Sequence, residues 1–148
     1  MMSKKSLIEP ALLQQLIPQK KPFVMLSVLY EVNQEIVVTG LKIEEDNILN
    51  QKNHFSEAGL LENMAQSIAL KMGYLNYLAN ERKVKIGFIG AIKTAQFYRM
   101  PKIGEEIYTK VSLIQEFMDI QLSKAEVLDA QENIIASAEI KTAIAPST

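Results

Sequence analysis

One short segment concentrates the side chains able to move protons. In Asn53-His54-Phe55-Ser56-Glu57-Ala58-Gly59-Leu60-Leu61-Glu62-Asn63-Met64-Ala65-Gln66, the one histidine of the chain stands ahead of an apolar helical pattern, and Glu62 and Gln66 follow one turn apart on it. A free imidazole exchanges its proton near neutral pH. A carboxyl on the flank of an apolar face loses water, which favours its protonated form and makes it a candidate donor. With Ser56 as N-cap, the unpaired N–H groups of the first helical turn can polarise an acyl carbonyl. Base, acid and oxyanion donors thus come from one stretch. Each also has a plain structural reading: a lone histidine in a polar loop is most often a surface residue, Glu62 and Gln66 can form a solvated edge or bond across a dimer contact, and Met64 and Met72 fill a core. Spacing alone leaves the function open.

The remaining composition narrows the choices. The 148 residues are 48% hydrophobic and 22% charged, with 16 basic and 17 acidic side chains. A chain of this size can bury about 68–70% of its unfolded surface and needs no staples, so it reads as one domain spanning 1–148. Without cysteine, there are no disulfides, thiolate nucleophiles or thiolate metal sites, and one histidine cannot build a multi-histidine metal centre; no metal is expected. A net charge of −1 and a pI near 5.9 give no electrostatic reason to bind nucleic acid. No apolar run is long enough to span a membrane. The expected location is cytoplasmic.

These groups must be positioned by regular elements. A short helix is expected over Pro10–Leu16, with Pro in its first turn and Pro18 as its stop. Phe23–Val32 and Glu35–Ile43 read as a hairpin, and the Asn-rich stretch Asp46–Asn53 as a loop. From Ser56 to Leu78, Leu61, Met64, Ala65, Ile68, Met72 and Leu75 form one helical stripe, with Leu60, Leu70 and Tyr74 off it, so the helix should be wrapped by other structure. After the charged connector Asn80–Lys85 come four strand-like runs, Ile86–Tyr98, Glu105–Glu116, Ile120–Leu128 and Ile134–Ile144. Two strands, a long helix and four strands make an α+β, antiparallel pattern.

Four segments in register carry a family resemblance. Leu16-Ile17-Pro18-Gln19-Lys20-Lys21-Pro22-Phe23-Val24-Met25-Leu26 resembles the L-L-P-H-R-x-P-F-L-L-V opening of the 3-hydroxyacyl-[acyl carrier protein] dehydratases. Asn47–Phe55 resembles N-x-P-F-F-x-G-H-F, with His54 on the histidine; Glu62-Asn63-Met64-Ala65-Gln66 resembles E-A-M-A-Q; Ile89–Gly104 resembles F-A-G-I-x-x-A-R-F-x-R-P-V-x-P-G. The resemblance implies a hotdog fold, a sheet curled round one long helix. It implies cofactor-free removal of water from a 3-hydroxyacyl thioester to give a trans-2-enoyl thioester, within a homodimer, a higher oligomer or a heterodimer with a related dehydratase. His54 would take the α-proton and Glu62 of another subunit would protonate the departing hydroxyl, while Gly59, Gln66, Phe55 and Phe97 would meet the substrate. The implied thioester is carried by acyl carrier protein or coenzyme A, its phosphopantetheine arm passing a basic rim near Arg99 and Lys102.

The sequence departs from the family pattern in three places. Ser56–Leu61 replaces a longer H-F-P-G connector, Gln19 stands for a histidine, and Ser27 for a common aspartate. The short connector and Gly59-Leu60-Leu61-Glu62-Asn63-Met64-Ala65-Gln66-Ser67-Ile68-Ala69 are also similar to the dehydratase-like proteins of aryl polyene and flexirubin-type pigment clusters, some of which partner a more complete subunit. Two other readings stand beside the dehydratase: a hotdog thioesterase using Glu57 or Glu62, with His54 dispensable, and a non-catalytic acyl-binding partner subunit.

Overall fold

The structure, a computed structural model, describes residues 5–80 and 85–146. Helix α1 (Pro10–Leu16) leads into strands β1 (Val28–Val32) and β2 (Ile36–Lys42), a two-residue pair β3 (Asn50–Gln51) and β4 (His54–Phe55), and the long helix α2 (Glu57–Ala79). Four strands follow: β5 (Lys85–Phe97), β6 (Glu106–Phe117), β7 (Ile120–Leu128) and β8 (Ile134–Pro146). The main sheet is antiparallel, in the order β1-β2-β6-β7-β8-β5. It packs on α2, the hotdog arrangement. The element order agrees with the sequence reading. Differences are local: the first strand begins at Val28 rather than Phe23, and the expected loop before His54 contains β3. The connector expected over Asn80–Lys85 falls mostly outside the described residues.

Local chemistry sets the ends of α2. Ser56 is extended and its side chain accepts the Gly59 N–H at 3.1 Å, with Glu57 in the first turn where a carboxylate favours the helix dipole. Asn80 closes the helix in the left-handed region (φ 52°), a conformation asparagine tolerates.

The face that α2 buries is rotated from the expected stripe. Leu60, Met64 and Ile68 are buried, each contributing about 1.5–3 kcal/mol of apolar burial, but Leu61, Ala65, Met72 and Leu75 are only half-buried. The sheet side is shared by a polar column at i, i+4 and i+8: Asn63, Ser67 and Lys71, all buried. Two rungs find partners on adjacent strands, because β2 and β6 align Thr39 with Thr109. Thr109 Oγ1 donates to Asn63 Oδ1. Ser67 Oγ gives its one hydrogen to Asn63 O at 2.8 Å, so Thr39 Oγ1 is the donor in the 2.8 Å contact with Ser67 Oγ. Hydrophobic periodicity missed this face because half of it is polar and satisfied.

A second side of α2 receives α1, and the two backbones meet at Gly73. A Cβ built there would lie 2.1 Å from the Leu16 carbonyl oxygen. The sheet and α1 thus wrap much of the helix, as expected, while Glu57, Ala58 and Glu62 face out. No described helix is long and apolar enough to cross a membrane.

Replacing a helical glycine by alanine ordinarily gains about 1 kcal/mol. Gly73→Ala should do the reverse, lowering unfolding stability by about 1–3 kcal/mol as α1 is pushed away, measured by urea denaturation.

Candidate functional site

His54 is fixed by backbone pairing on both sides. It lies opposite Gln51 in the β3–β4 pair, whose turn carries Lys52 at φ 59°, and it bridges to Lys102 on the other side. Phe55 N donates to Pro101 O at 2.9 Å, and Ile103 N to Asn53 O at 3.1 Å. The chain then turns directly into α2, so the imidazole stands three residues before the first helical residue, Glu57. Its side chain is exposed at a groove of about 490 Å³ lined by Gln51, Phe55, Ser56, Glu57, Phe97, Arg99, Met100 and Lys102 as well as His54. Ser56 caps the Gly59 N–H, which leaves those of Glu57 and Ala58 without an acceptor among the described residues. These two donors suit a developing negative charge.

The other expected residues divide into two groups. Phe55 and Phe97 form the groove's aromatic wall; the Phe55 ring is fully buried, and a Cβ at Gly59 would come within 2.5 Å of it. Gly59 is what lets that ring lie against the helix. Glu62 and Gln66 lie outside the groove. Gln66 Oε1 accepts the Met25 N–H at 2.7 Å, while its Nε2 donates to Phe23 O and to Glu62 Oε2, both at 2.8 Å. A flipped amide would set two donors face to face at Met25, so the orientation is determined and Glu62 Oε2 must be an acceptor. Glu62 Oε1 has no hydrogen-bond partner among the described residues. Asn63 Nδ2 adds a 2.9 Å bond to Met25 O, tying the same segment to the helix. The fully buried Gln66 thus orients Glu62 and holds the segment around Phe23, rather than facing the groove. Within one chain the groove that His54 lines does not include Glu62.

The expected basic rim needs correction. The Arg99 guanidinium makes a bidentate pair with Glu105, at 2.9 and 2.6 Å, and reaches Asp129 at 3.2 Å. Two carboxylates outweigh its charge, so of the expected pair only Lys102 adds uncompensated positive charge. Arg99's ordinary pKa is raised, first by the Glu105 hydrogen bonds, against the opposing effect of its partial burial. Glu105 is held below the usual carboxylate range by Arg99, with burial opposing. Burial would raise Asp129, but hydrogen bonds from Asn133, Arg99 and Gln131 outweigh it and the net shift is downward. The signal available in sequence was Asp129 opening the turn Asp129-Ala130-Gln131-Glu132-Asn133, where an aspartate side chain accepts N–H groups just ahead of it. Gln51 and Met100 in the groove wall carried no such signal. No group of acidic or imidazole side chains among the described residues could hold a metal ion.

Comparison with known proteins bears on this arrangement. The ApeP-like family, described as ApeP dehydratase, matches residues 11–147. The chain belongs to the ApeP-like dehydratase family. Among individual relatives, a 3-hydroxyacyl-[acyl-carrier-protein] dehydratase FabZ from Oceanobacillus iheyensis is 28% identical over 137 residues, covering 88% of this chain and 94% of that protein. The dehydratase heterocomplex ApeI:P from Xenorhabdus doucetiae superposes with a TM-score of 0.78 at 17% identity, over 88% of this chain and 89% of that one. A hypothetical thioesterase from Streptococcus pneumoniae, solved with coenzyme A, has a TM-score of 0.66 at 11% identity, covering 80% of this chain and 85% of that one, and shares the fold. The hotdog fold expected from the motifs is the fold of this ApeP-like chain.

Two outcomes are expected from these contacts. Gln66→Leu should cost about 2–3 kcal/mol in chemical denaturation, since Met25 N and Phe23 O lose their partner in a buried place. Glu105 and Asp129, with folded-state pKa values below their ordinary 4.5 and 3.8, contribute stability that is present above those values and lost as pH falls through the folded ones. The melting temperature of the native chain should therefore drop below about pH 4.5, and the drop should be shallower in a Glu105→Gln, Asp129→Asn double variant followed by thermal scans across pH.

Proposed function

We propose that this chain is a dehydratase subunit that removes water from a 3-hydroxyacyl thioester and leaves a trans-2-enoyl thioester, with its reaction centre completed by a second subunit. The observation that carries the reading is the division of groups within one chain: an exposed imidazole at an aromatic groove beside two unpaired helix N–H donors, and an outward carboxyl held by Gln66 elsewhere on the helix. Half of an acid–base pair faces each way. In the proposed reaction His54 removes the α-proton, and the N–H groups of Glu57 and Ala58 stabilise charge on the thioester oxygen. Glu62 of the second subunit protonates the departing hydroxyl. The C–H and C–O bonds break, the C=C bond forms, and one water leaves. Phe55, Phe97 and Gly59 shape the acyl slot, and Gln66 acts through Glu62.

Strand β5 supports assembly. It is an edge of the main sheet, with Phe88, Ile89 and Ile92 exposed along it. An exposed apolar edge strand is an open template for pairing and is normally covered. A second copy of this chain, or a related dehydratase subunit as in the heterocomplex it resembles, would cover it. The carrier of the thioester is proposed as acyl carrier protein, given the name of the curated relative, with coenzyme A as the other form to assay.

His54→Ala and Glu62→Gln should each lower enoyl thioester formation by about 10²–10⁴-fold while the fold persists. If two copies share the centre, mixing the two inactive variants restores one intact site per mixed dimer, about a quarter of full activity after random exchange. Failure to restore activity in the mixture, with restoration on adding a related dehydratase subunit, would assign the second half to a heteromeric partner. Release of free thiol without enoyl product would replace the dehydratase reading by a thioesterase.

A further inference from the structure

The His54 imidazole makes no hydrogen bond among the described residues, so the backbone on either side of β4 has to place it. β3 and β4 have two residues each, a pair too short to be stable by itself. The other flank is the segment Arg99–Glu105. Phe55 N donates to Pro101 O and Ile103 N to Asn53 O, which leaves His54 and Lys102 between them as a non-hydrogen-bonded pair with both side chains at the groove. The N–H and C=O of Lys102 therefore point away from the histidine's strand. They need partners elsewhere.

One residue supplies both. Glu105 N donates to Lys102 O at 3.0 Å, closing a turn whose third residue, Gly104, has φ 90°, the left-handed value such a turn requires. Glu105 Oε1 accepts the Lys102 N–H, also at 3.0 Å. The same carboxylate takes both Arg99 donors, and Arg99 Nη2 is shared with Asp129 Oδ2 at 3.2 Å. Asp129 is fixed in turn by the N–H groups of Gln131 and Asn133. Ile43 N donates to Glu105 O at 2.9 Å and Gly104 N to Ile43 O at 2.7 Å, so the backbone of residue 105 is tied to the end of β2 as well. A row of bonds thus runs from the β7–β8 turn through Arg99 and Glu105 to Lys102, the residue opposite the histidine. Holding the turn needs Arg99 and Asp129 alone; the bond to Lys102 N serves the groove side.

We propose that Glu105 is a positioning residue for His54: its carboxylate, clamped by Arg99 and Asp129, fixes the Lys102 backbone and, through the bonds at Phe55 and Ile103, the strand that carries the imidazole. The effect on catalysis rests on the dehydratase reading; the mechanical link does not.

Two measurements on the intact protein test it: amide hydrogen exchange, and kcat for enoyl formation at saturating 3-hydroxyacyl thioester. In Glu105→Leu, exchange at the Phe55 and Ile103 amides should quicken by about tenfold or more relative to the β6–β7 ladder, the factor set by one charge-assisted hydrogen bond. The kcat should fall by about 10–100-fold, since a small misplacement of a base is costly. Glu105→Gln keeps an acceptor for the Lys102 N–H and should restore most of both. A merely structural role would quicken exchange evenly over the sheet and leave the kcat of the folded protein unchanged. Even quickening, or a native kcat in a folded Glu105→Leu variant, overturns the proposal. If Glu105→Leu does not fold, Arg99→Met decides, and native exchange at Phe55 and Ile103 in that variant overturns it. Should the native chain form no enoyl product, alone or with a related subunit, the dehydratase reading fails, and exchange at Phe55 and Ile103 still tells whether Glu105 holds the histidine's strand.

Discussion

A helix that carries amides and hydroxyls on its buried side must find partners for them in the sheet and in the chain that packs across it. Asn63 and Gln66 meet this constraint together. Asn63 spans from Thr109 on β6 to the Met25 carbonyl, and Gln66 spans from the Met25 N–H to the Phe23 carbonyl and on to Glu62. Two adjacent faces of α2 thereby anchor the central sheet on one side and the irregular segment before β1 on the other. Leaving any of these buried groups unpaired costs about 1–3 kcal/mol. The network therefore specifies both where the helix lies and how the segment crosses it.

The same bonds position a candidate site residue. The amide that secures the segment around Phe23 also imposes one orientation on the Glu62 carboxyl. At the other end of the segment, the β3–β4 pair and the strand of chain around Lys102 hold His54 beside the start of α2. The imidazole and the carboxyl are each rigidly presented, yet to different surroundings. β5 is an edge of the main sheet, and Glu57, Ala58 and Glu62 face out from α2.

Charge is arranged to be local. Arg99 is surrounded by Glu105 and Asp129, so the strongest ion-paired group near the groove supports the turn after β7 instead of attracting a phosphate. Lys71 is the contrary case, its stem buried and its charge acted on through space by Glu116 and Glu35, with no ion pair among the described residues. The two ends of α2 thus differ in kind: one offers hydrogen-bond donors and an imidazole at an open groove, the other a lysine in a cavity whose wall also holds Glu116 and Asp119.

The sequence by itself determined the element order, the α+β class, the Ser56 cap and the family, because alternation, helical periodicity, turn residues and the motifs around His54 and Glu62 are local patterns. Tertiary structure alone decided which face of α2 is buried, since the polar column of Asn63, Ser67 and Lys71 has the spacing of a solvent face and is recognised as core only through Thr39 and Thr109 on distant strands. It decided that Gln66 bonds Glu62 and the Phe23 segment, that Arg99 is neutralised by residues 6 and 30 positions away, and that His54 and Glu62 of one chain do not share a groove. The physical reason is common to all four: a polar side chain's role depends on what desolvates and bonds it, and those partners are supplied by the fold rather than by neighbours along the chain.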